Sequence, residues 1–249
     1  MEQNIFDNPE FFEGYKALRE TDDNFNVLLE QPAMRKLLPD IKGKRVLDIG
    51  CGAGGNCLDF VNRGAESVTG IDLSEKMLEL ARENCSHEKI TYLRISMSEL
   101  SELPKPDGGF GLVYSSLAVH YAEDFPRLMR EIYALTEHGG TLLFSQEHPI
   151  ITATVGGGHW NYDENGNRVS WTFSDYQRGG KRTVKWFVDS VEKYHRTFSE
   201  VINAVIAAGF TIEEICEPVP DEYALQKRPE LVKDFLKSNY LIVKARKLQ

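Results

Sequence analysis

The sequence predicts an α/β fold built on a doubly wound, mostly parallel sheet, and three observations carry that prediction. Five short apolar or β-branched runs alternate with helical stretches between residues 44 and 146, the pattern of a parallel sheet covered on both faces. A glycine-rich turn, GCGAGG, directly follows the first run. An acid, Asp72, ends the second run about 20 residues later, where a ribose-binding carboxylate belongs in folds that bind adenosine ligands.

Taken in order, residues 8–40 read as helical, with Phe11, Phe12, Tyr15 and Leu18, then Phe25, Leu28 and Leu29, near helical spacing and breaks at TDDN and Pro32. KRVLDIG (44–50) reads as the first buried strand, and the helix after it ends at Gly64. SVTGIDLS (67–74) is the second strand, and Ser74 is placed to cap the following helix, whose apolar face includes Met77, Leu78 and Ala81. ITYLRIS, FGLVYSSL and TLLFSQ complete the five, with the helix FPRLMREIYALT before the last.

After Pro149 the texture changes. Residues 150–195 are rich in Gly, Trp, Tyr and Thr, and ENGN is a strong hairpin turn, so this stretch reads as a β-rich excursion. Its aromatic residues Trp160, Tyr162, Trp171, Phe173, Tyr176 and Trp186 suggest a lid. TFSEVINAVIAAGF then returns as a helix, and TIEEICEPV and YLIVKAR as two terminal strands. The expected division is an N-terminal helical cap, residues 1–40, and one domain, residues 41–249, with the lid insertion at about residues 150–195.

The 249 residues are enough for one large domain. A net charge of −9 argues against nucleic acid and anionic membrane, both of which need clustered Lys and Arg. No apolar run approaches the roughly 20 residues of a membrane span. The first residues lack the pattern of a signal peptide. The four cysteines, Cys51, Cys57, Cys85 and Cys216, have neither zinc-ligand spacing nor a disulfide framework. A cytoplasmic protein with reduced thiols is expected.

The glycine turn alone fits dinucleotides as well as other adenosine ligands. Asp48, two residues before it, favours a ligand carrying ammonium and sulfonium charge over a pyrophosphate, which it would repel. VLDIGCGAGG followed by GIDLSEKMLELAR resembles the first two motifs of class I S-adenosylmethionine-dependent methyltransferases, small-molecule type, akin to those of ubiquinone and menaquinone biosynthesis. FGLVYSSLAVHY and GGTLLFSQEHP resemble their fourth and fifth strand regions, so the likeness covers roughly residues 40–150. It implies a Rossmann-like sheet of seven strands, mostly parallel with an antiparallel last strand, carrying here the β-rich lid insertion after strand 5.

Carried over residue by residue, the resemblance places Asp48, Gly50 and Gly52 at the methionine moiety and Asp72 at the ribose. Leu73 and Met77 flank the adenine, Met97 and Ser98 meet its edge, and Ser115 closes the site. The chain departs from the common pattern at Ser96, where many relatives carry Asp. On the substrate side, His148 and Arg196 stand at the two junctions of the lid with the core and are the expected catalytic pair, His148 as proton acceptor and Arg196 as an anion clamp. One of His120 and Tyr121 is expected to face the site. The expected activity is methyl transfer to a small-molecule acceptor, without a metal, by a monomer or homodimer. The alternatives are a regulatory protein that binds S-adenosylmethionine without turnover, an NAD-dependent oxidoreductase, and RNA or protein methylation, disfavoured by the acidic balance.

Overall fold

A computed structural model describes residues 3–248. Helix α1 (Pro9–Glu20) opens on Asn8, whose side chain accepts from the amides of Glu10 and Phe11. A π-helical turn, Asn26–Glu30, runs into α2 (Gln31–Leu37). Pro32 follows the π-helical turn directly, with Glu30 and Gln31 both helical before it, so the helix passes through the proline instead of breaking at it.

The alternating core follows: β1 (Arg45–Ile49), α3 (Gly55–Asn62), β2 (Ser67–Asp72), α4 (Glu75–Asn84), β3 (Ile90–Arg94), β4 (Phe110–Ser115), α5 (Phe125–Leu135) and β5 (Thr136–Glu147). Ser74 caps α4 by accepting from the Met77 amide at 3.1 Å. The excursion holds a short helix, α6 (Pro149–Thr152), and two antiparallel hairpins, β6 (His159–Tyr162) with β7 (Arg168–Thr172) and β8 (Gly180–Trp186) with β9 (Val188–His195). The chain closes through α7 (Phe198–Ala207), β10 (Thr211–Cys216), α8 (Glu222–Lys227) and β11 (Tyr240–Arg246).

Seven strands form one sheet in the order β10-β11-β5-β4-β1-β2-β3. β11 runs antiparallel between β10 and β5, and the β1–β5 pairings are parallel. Every residue of β4 is buried, as expected for a central strand covered on both faces. One face packs Phe125, Leu128, Met129 and Ile132 of α5 and Val201 and Val205 of α7 on Leu47, Val113 and Phe144. The other packs Met34, Leu37, Cys57, Phe60 and Leu78 on Val46, Val68, Leu112 and Leu143. Each such side chain contributes about 1.5–3 kcal/mol by burial.

The β8–β9 hairpin folds back on α1. Phe11 meets Trp186 and Phe187 edge-on with centroids 5.2 and 5.6 Å apart. Gly14 fits beneath Phe187 because a Cβ there would lie 2.6 Å from the ring. Gln3 clips the chain start to this hairpin, donating to the Ser190 carbonyl and accepting from the Glu192 amide, both at 2.8 Å.

One buried carboxylate fixes the first helices to the sheet. Glu30 is fully buried. Its Oε1 accepts from Ser116 Oγ at 2.8 Å and Ser145 Oγ at 2.5 Å, and its Oε2 from Asn26 Nδ2 at 2.8 Å. Burial raises its pKa while the two hydroxyls pull it back. Removing the acceptor strands two buried donors, Asn26 and Ser145, and one partly buried, Ser116, so Glu30→Ala should cost about 2–4 kcal/mol in denaturant unfolding. Glu30→Gln, which keeps the shape and one acceptor oxygen, should cost less. Equal losses would show that packing, not these hydrogen bonds, holds the layer.

Candidate active site

The first cleft lies at the carboxyl ends of β1, β2 and β4, the edge at which open α/β sheets take their ligands. Gly50 and Gly52 both have positive φ, +70° and +53°. A Cβ on Gly50 would sit 2.4 Å from the Ala118 Cβ, whereas the Cβ position of Gly52 meets nothing within 4 Å. The turn thus lets the backbone pass close to Ala118 and leaves Gly52 facing open space. Asp72 Oδ2 accepts from the Gly52 amide and Oδ1 from the Ser74 amide, both at 2.9 Å. These bonds fix the carboxylate at the wall with acceptor capacity left for two hydroxyls.

Gly50, Gly52, Asp72, Leu73, Met77 and Met97 all line this cleft, together with Ile71 and Ile95. A carboxylate beside a sleeve of Leu73, Met77, Ile95 and Met97 suits a ribose and a flat purine. The residues present therefore fit an adenosine ligand. Gln3, Asn4, Ile5 and Phe6 lie over the same cleft and leave it narrow, about 100 Å³. Asp7 anchors this segment, accepting from Ser74 Oγ at 2.5 Å and the Lys76 amide at 3.2 Å.

Three other expected residues lie elsewhere. Ser115 is fully buried and donates to the Ile49 carbonyl at 2.8 Å, so it ties β4 to β1 beneath the turn. Its neighbour Ser116, already out of the strand, is the one that lines the cleft. Ser98 hydrogen-bonds Ser96 and lines a neighbouring depression instead. Asp48 is fully buried under the loop, with Oδ2 accepting from Cys57 Sγ at 3.4 Å and Oδ1 unpartnered among the described residues.

A second cavity, about 640 Å³, adjoins the first. Phe6, Tyr15, Leu117 and Tyr121 line both. Its other walls include Phe25, Trp186 and Tyr240, and its polar groups include Arg19, His120, Glu147 and Lys193. Lys193 of β9 donates to Glu147 at the end of β5. Burial pushes the Glu147 carboxyl up, but Lys193 and His120 outweigh it and hold it below the usual range. His120 is 4% exposed and its Nδ1 has no partner among the described residues. Burial lowers its pKa to about 4, so the ring is neutral at physiological pH. Leu117, in the wall of both cavities, holds a positive φ of 53° and donates its amide to Ser145 Oγ at 2.9 Å. Such strain in a non-glycine residue is a mark of functional sites.

The structure does not bring His148 and Arg196 to either cavity. His148 Nε2 pairs with Glu217 at 2.6 Å, and its Nδ1 accepts from the Ile150 amide at 3.2 Å to cap α6. Arg196 Nη2 donates to the carbonyls of Ala122 and Glu123, so it clamps the turn that carries His120. Of the aromatic residues in the excursion, only Trp186 lines the second cavity. Trp160 and Trp171 instead flank the Lys237 ammonium, at 5.4 and 5.0 Å.

Asp48 supplies a test of the electrostatics. Burial pushes its carboxyl up to about 7, with Asp72 and Glu30 adding and the Cys57 thiol subtracting. The group is thus partly protonated at pH 7, and a cation settling at the adjacent turn favours its ionised form. S-adenosylmethionine binding at pH 7 should release a fraction of a proton, and S-adenosylhomocysteine, whose sulfur is neutral, less. Calorimetry in buffers of different ionisation enthalpy measures this, and Asp48→Asn should abolish the difference. Buffer-independent heats in the wild type would refute the linkage.

A family model described as a methyltransferase domain matches residues 47–144. A Haemophilus influenzae protein of unassigned function is 37% identical over 254 residues, covering 98% of this chain and 97% of that protein. An S-adenosylmethionine-dependent methyltransferase from Mesorhizobium loti, known from a crystal structure, is 39% identical and superposes with a TM-score of 0.80 over 90% of this chain and 99% of its own. The malonyl-[acyl-carrier protein] O-methyltransferase of Pectobacterium atrosepticum is 36% identical over 109 residues, which span 44% of this chain and 41% of that protein. By these relationships the chain belongs to the class I S-adenosylmethionine-dependent methyltransferase family, and S-adenosylmethionine is its cofactor.

Proposed function

We propose that the enzyme methylates a small organic acceptor held in the second cavity. The observation that carries this reading is the shared wall of Phe6, Tyr15, Leu117 and Tyr121, which makes a ligand in one cavity abut a ligand in the other. Methyl transfer from a sulfonium asks the protein mainly for in-line alignment and a dry site, and two adjoining cavities under one cover supply both. On this reading residues 1–40 act as a cap and the β8–β9 part of residues 150–195 as a lid, both supported by the Gln3 and Trp186 contacts. Residues 3–6 narrow the cofactor cleft, so cofactor entry requires this segment to lift.

Asp72, Gly50, Gly52, Leu73, Met77 and Met97 are the proposed cofactor contacts. Asp48 and Ser115 support the turn from behind, and Ser98 lies in the neighbouring depression. A small acceptor accords with the net charge of −9, which disfavours nucleic acid. No described helix is long and apolar enough to cross a membrane. A cytoplasmic monomer or homodimer is the assembly we propose. A protein that only held the cofactor would have no use for the adjoining second cavity, and that cavity favours turnover over regulatory binding.

S-adenosylmethionine and S-adenosylhomocysteine should each raise Tm, and NAD should not, because only a ligand of the native state stabilises it. Asp72→Ala should remove most of the shift. Stabilisation by NAD to the same degree would refute the cofactor geometry. Turnover should also survive EDTA, since among the described residues no three His, Cys, Asp or Glu side chains converge as a metal site. Loss of activity restored by magnesium would overturn that expectation.

A further inference from the structure

Four cationic side chains of Lys and Arg line the second cavity, and three of them are already paired. Lys193 donates to Glu147, Arg228 meets Glu230 at 2.7 Å and Lys185 meets Asp189 at 3.4 Å. Arg19 is the one of the four without an ion pair among the described residues. Its Nη1 donates to Asn26 Oδ1, and its guanidinium carbon lies 5.9 Å from the centroid of the Tyr15 ring. Asn26 is buried, accepts also from Gln31 and donates to Glu30.

A solvent-facing arginine ordinarily swings among many rotamers. Arg19 is exposed where the cavity opens, yet it is tied at one nitrogen to a buried amide and rests against an aromatic ring. The bond to Asn26 engages Nη1 and leaves Nε–H and Nη2–H without a partner among the described residues. Those two groups form the planar fork that takes both oxygens of a carboxylate. Building on the small-acceptor reading above, we propose that Arg19 is the specificity-determining residue of the second cavity, gripping the carboxylate of an acceptor that is otherwise flat and apolar.

The surroundings argue for a single negative charge. Glu30 stands behind Asn26, but its oxygens are taken by Asn26, Ser116 and Ser145, so it steadies Arg19 without occupying the fork. Asp23 has Arg228 beside it, donating to its carbonyl at 3.3 Å. With Glu147 it nevertheless places two carboxylates on the lining, and these oppose a dianion such as a phosphate more than a carboxylate. Phe6, Phe25 and Trp186 join three tyrosines around a volume of about 640 Å³, walls that favour flat apolar rings.

Arg19 lines the second cavity and not the first, whereas Tyr15, on which it rests, lines both. An acid held at Arg19 keeps its charge on the far side of the shared wall and lays its rings along that wall toward the cofactor cleft. The carboxylate is thus an anchor, and the methyl group goes to another atom of the acceptor. The anion-holding role expected of Arg196 falls to Arg19, since Arg196 lines neither cavity.

Four matched probes test this: 2-naphthoate, 2-naphthamide, 2-naphthylphosphonate and 2-(aminomethyl)naphthalene, titrated into the complex with S-adenosylhomocysteine. The carboxylate should bind best, about tenfold tighter than the neutral amide. Arg19→Ala should weaken 2-naphthoate about tenfold while 2-naphthamide and S-adenosylhomocysteine stay within about twofold. Arg19→Lys, which keeps the charge without the fork, should recover part of the loss, and added methylguanidinium should restore 2-naphthoate binding to Arg19→Ala. Equal affinities for acid and amide would overturn the proposal, as would a variant that weakens both alike, the mark of a structural role. An equal loss in Lys185→Ala would show a diffuse positive field instead of a fork and would overturn it too. Tighter binding of the phosphonate or the amine would overturn the acceptor class. Failure of every probe to bind a complex that holds S-adenosylhomocysteine would defeat the small-acceptor reading and the proposal with it. Loss of S-adenosylhomocysteine binding by the wild-type protein would instead defeat the methyltransferase geometry beneath both.

Discussion

The carboxyl edge of the sheet depends on how one buried ionisable group, Glu30, is satisfied by donors of the protein itself. A fully buried carboxylate is expensive unless each lone pair finds a donor, and here the donors come from three places: Ser116 after β4, Ser145 inside β5, and Asn26 one helical turn earlier. Asn26 in turn accepts from Arg19 and Gln31. The network runs from a wall of the cofactor cleft, at Ser116, to a wall of the second cavity, at Asn26 and Arg19. The helical layer and the sheet edge are therefore set relative to each other by directional bonds as well as by apolar contact. Apolar packing alone tolerates sliding, and hydrogen bonds to fixed hydroxyls do not.

That constraint explains the division of labour between the two cavities. The cofactor side is built mainly from backbone and strand ends: the Gly52 and Ser74 amides hold Asp72, and the positive φ of Gly50 brings the turn against Ala118. The second cavity, the proposed acceptor side, is built from side chains on α1, the β8–β9 hairpin and the ends of β4 and β5. Backbone geometry repeats across a family because one ligand is shared. Side chains on separate elements vary with the acceptor, which fits a family model that ends at residue 144 and a relative whose match covers 44% of this chain.

Legibility in the sequence follows the same line. The strands, their order of alternation, Ser74 as a cap and the ENGN hairpin could all be read because each rests on local periodicity or turn chemistry. Gly50, Gly52 and Asp72 could be read because their spacing is itself the mechanism. Ser115 against Ser116 could not: a strand's last inward residue and its first free one differ by a single position, and no local rule marks where β4 ends. Glu30, Glu147 and Lys193 carried no signal as partners, since their meaning lies in pairings across 115 and 46 residues. His148 drew attention by its place after a strand. Its pairing with Glu217, far along the chain, is a tertiary fact. Leu117, strained at positive φ, was hidden because only its backbone is unusual.

The charge balance of the second cavity carries the argument one step further. Methyl transfer from a sulfonium to a neutral acceptor atom disperses a positive charge that began on sulfur, so surroundings that cannot hold that charge in place favour the reaction. Aromatic walls and a carboxylate already engaged by Lys193 provide such surroundings, whereas a free carboxylate in the same place would hold the sulfonium and stabilise the reactants. Lys193 therefore does more than fill a gap. By occupying Glu147 it withholds a strong anion from whatever the second cavity holds. A pair that looks structural when viewed alone thus limits where positive charge can rest in the second cavity.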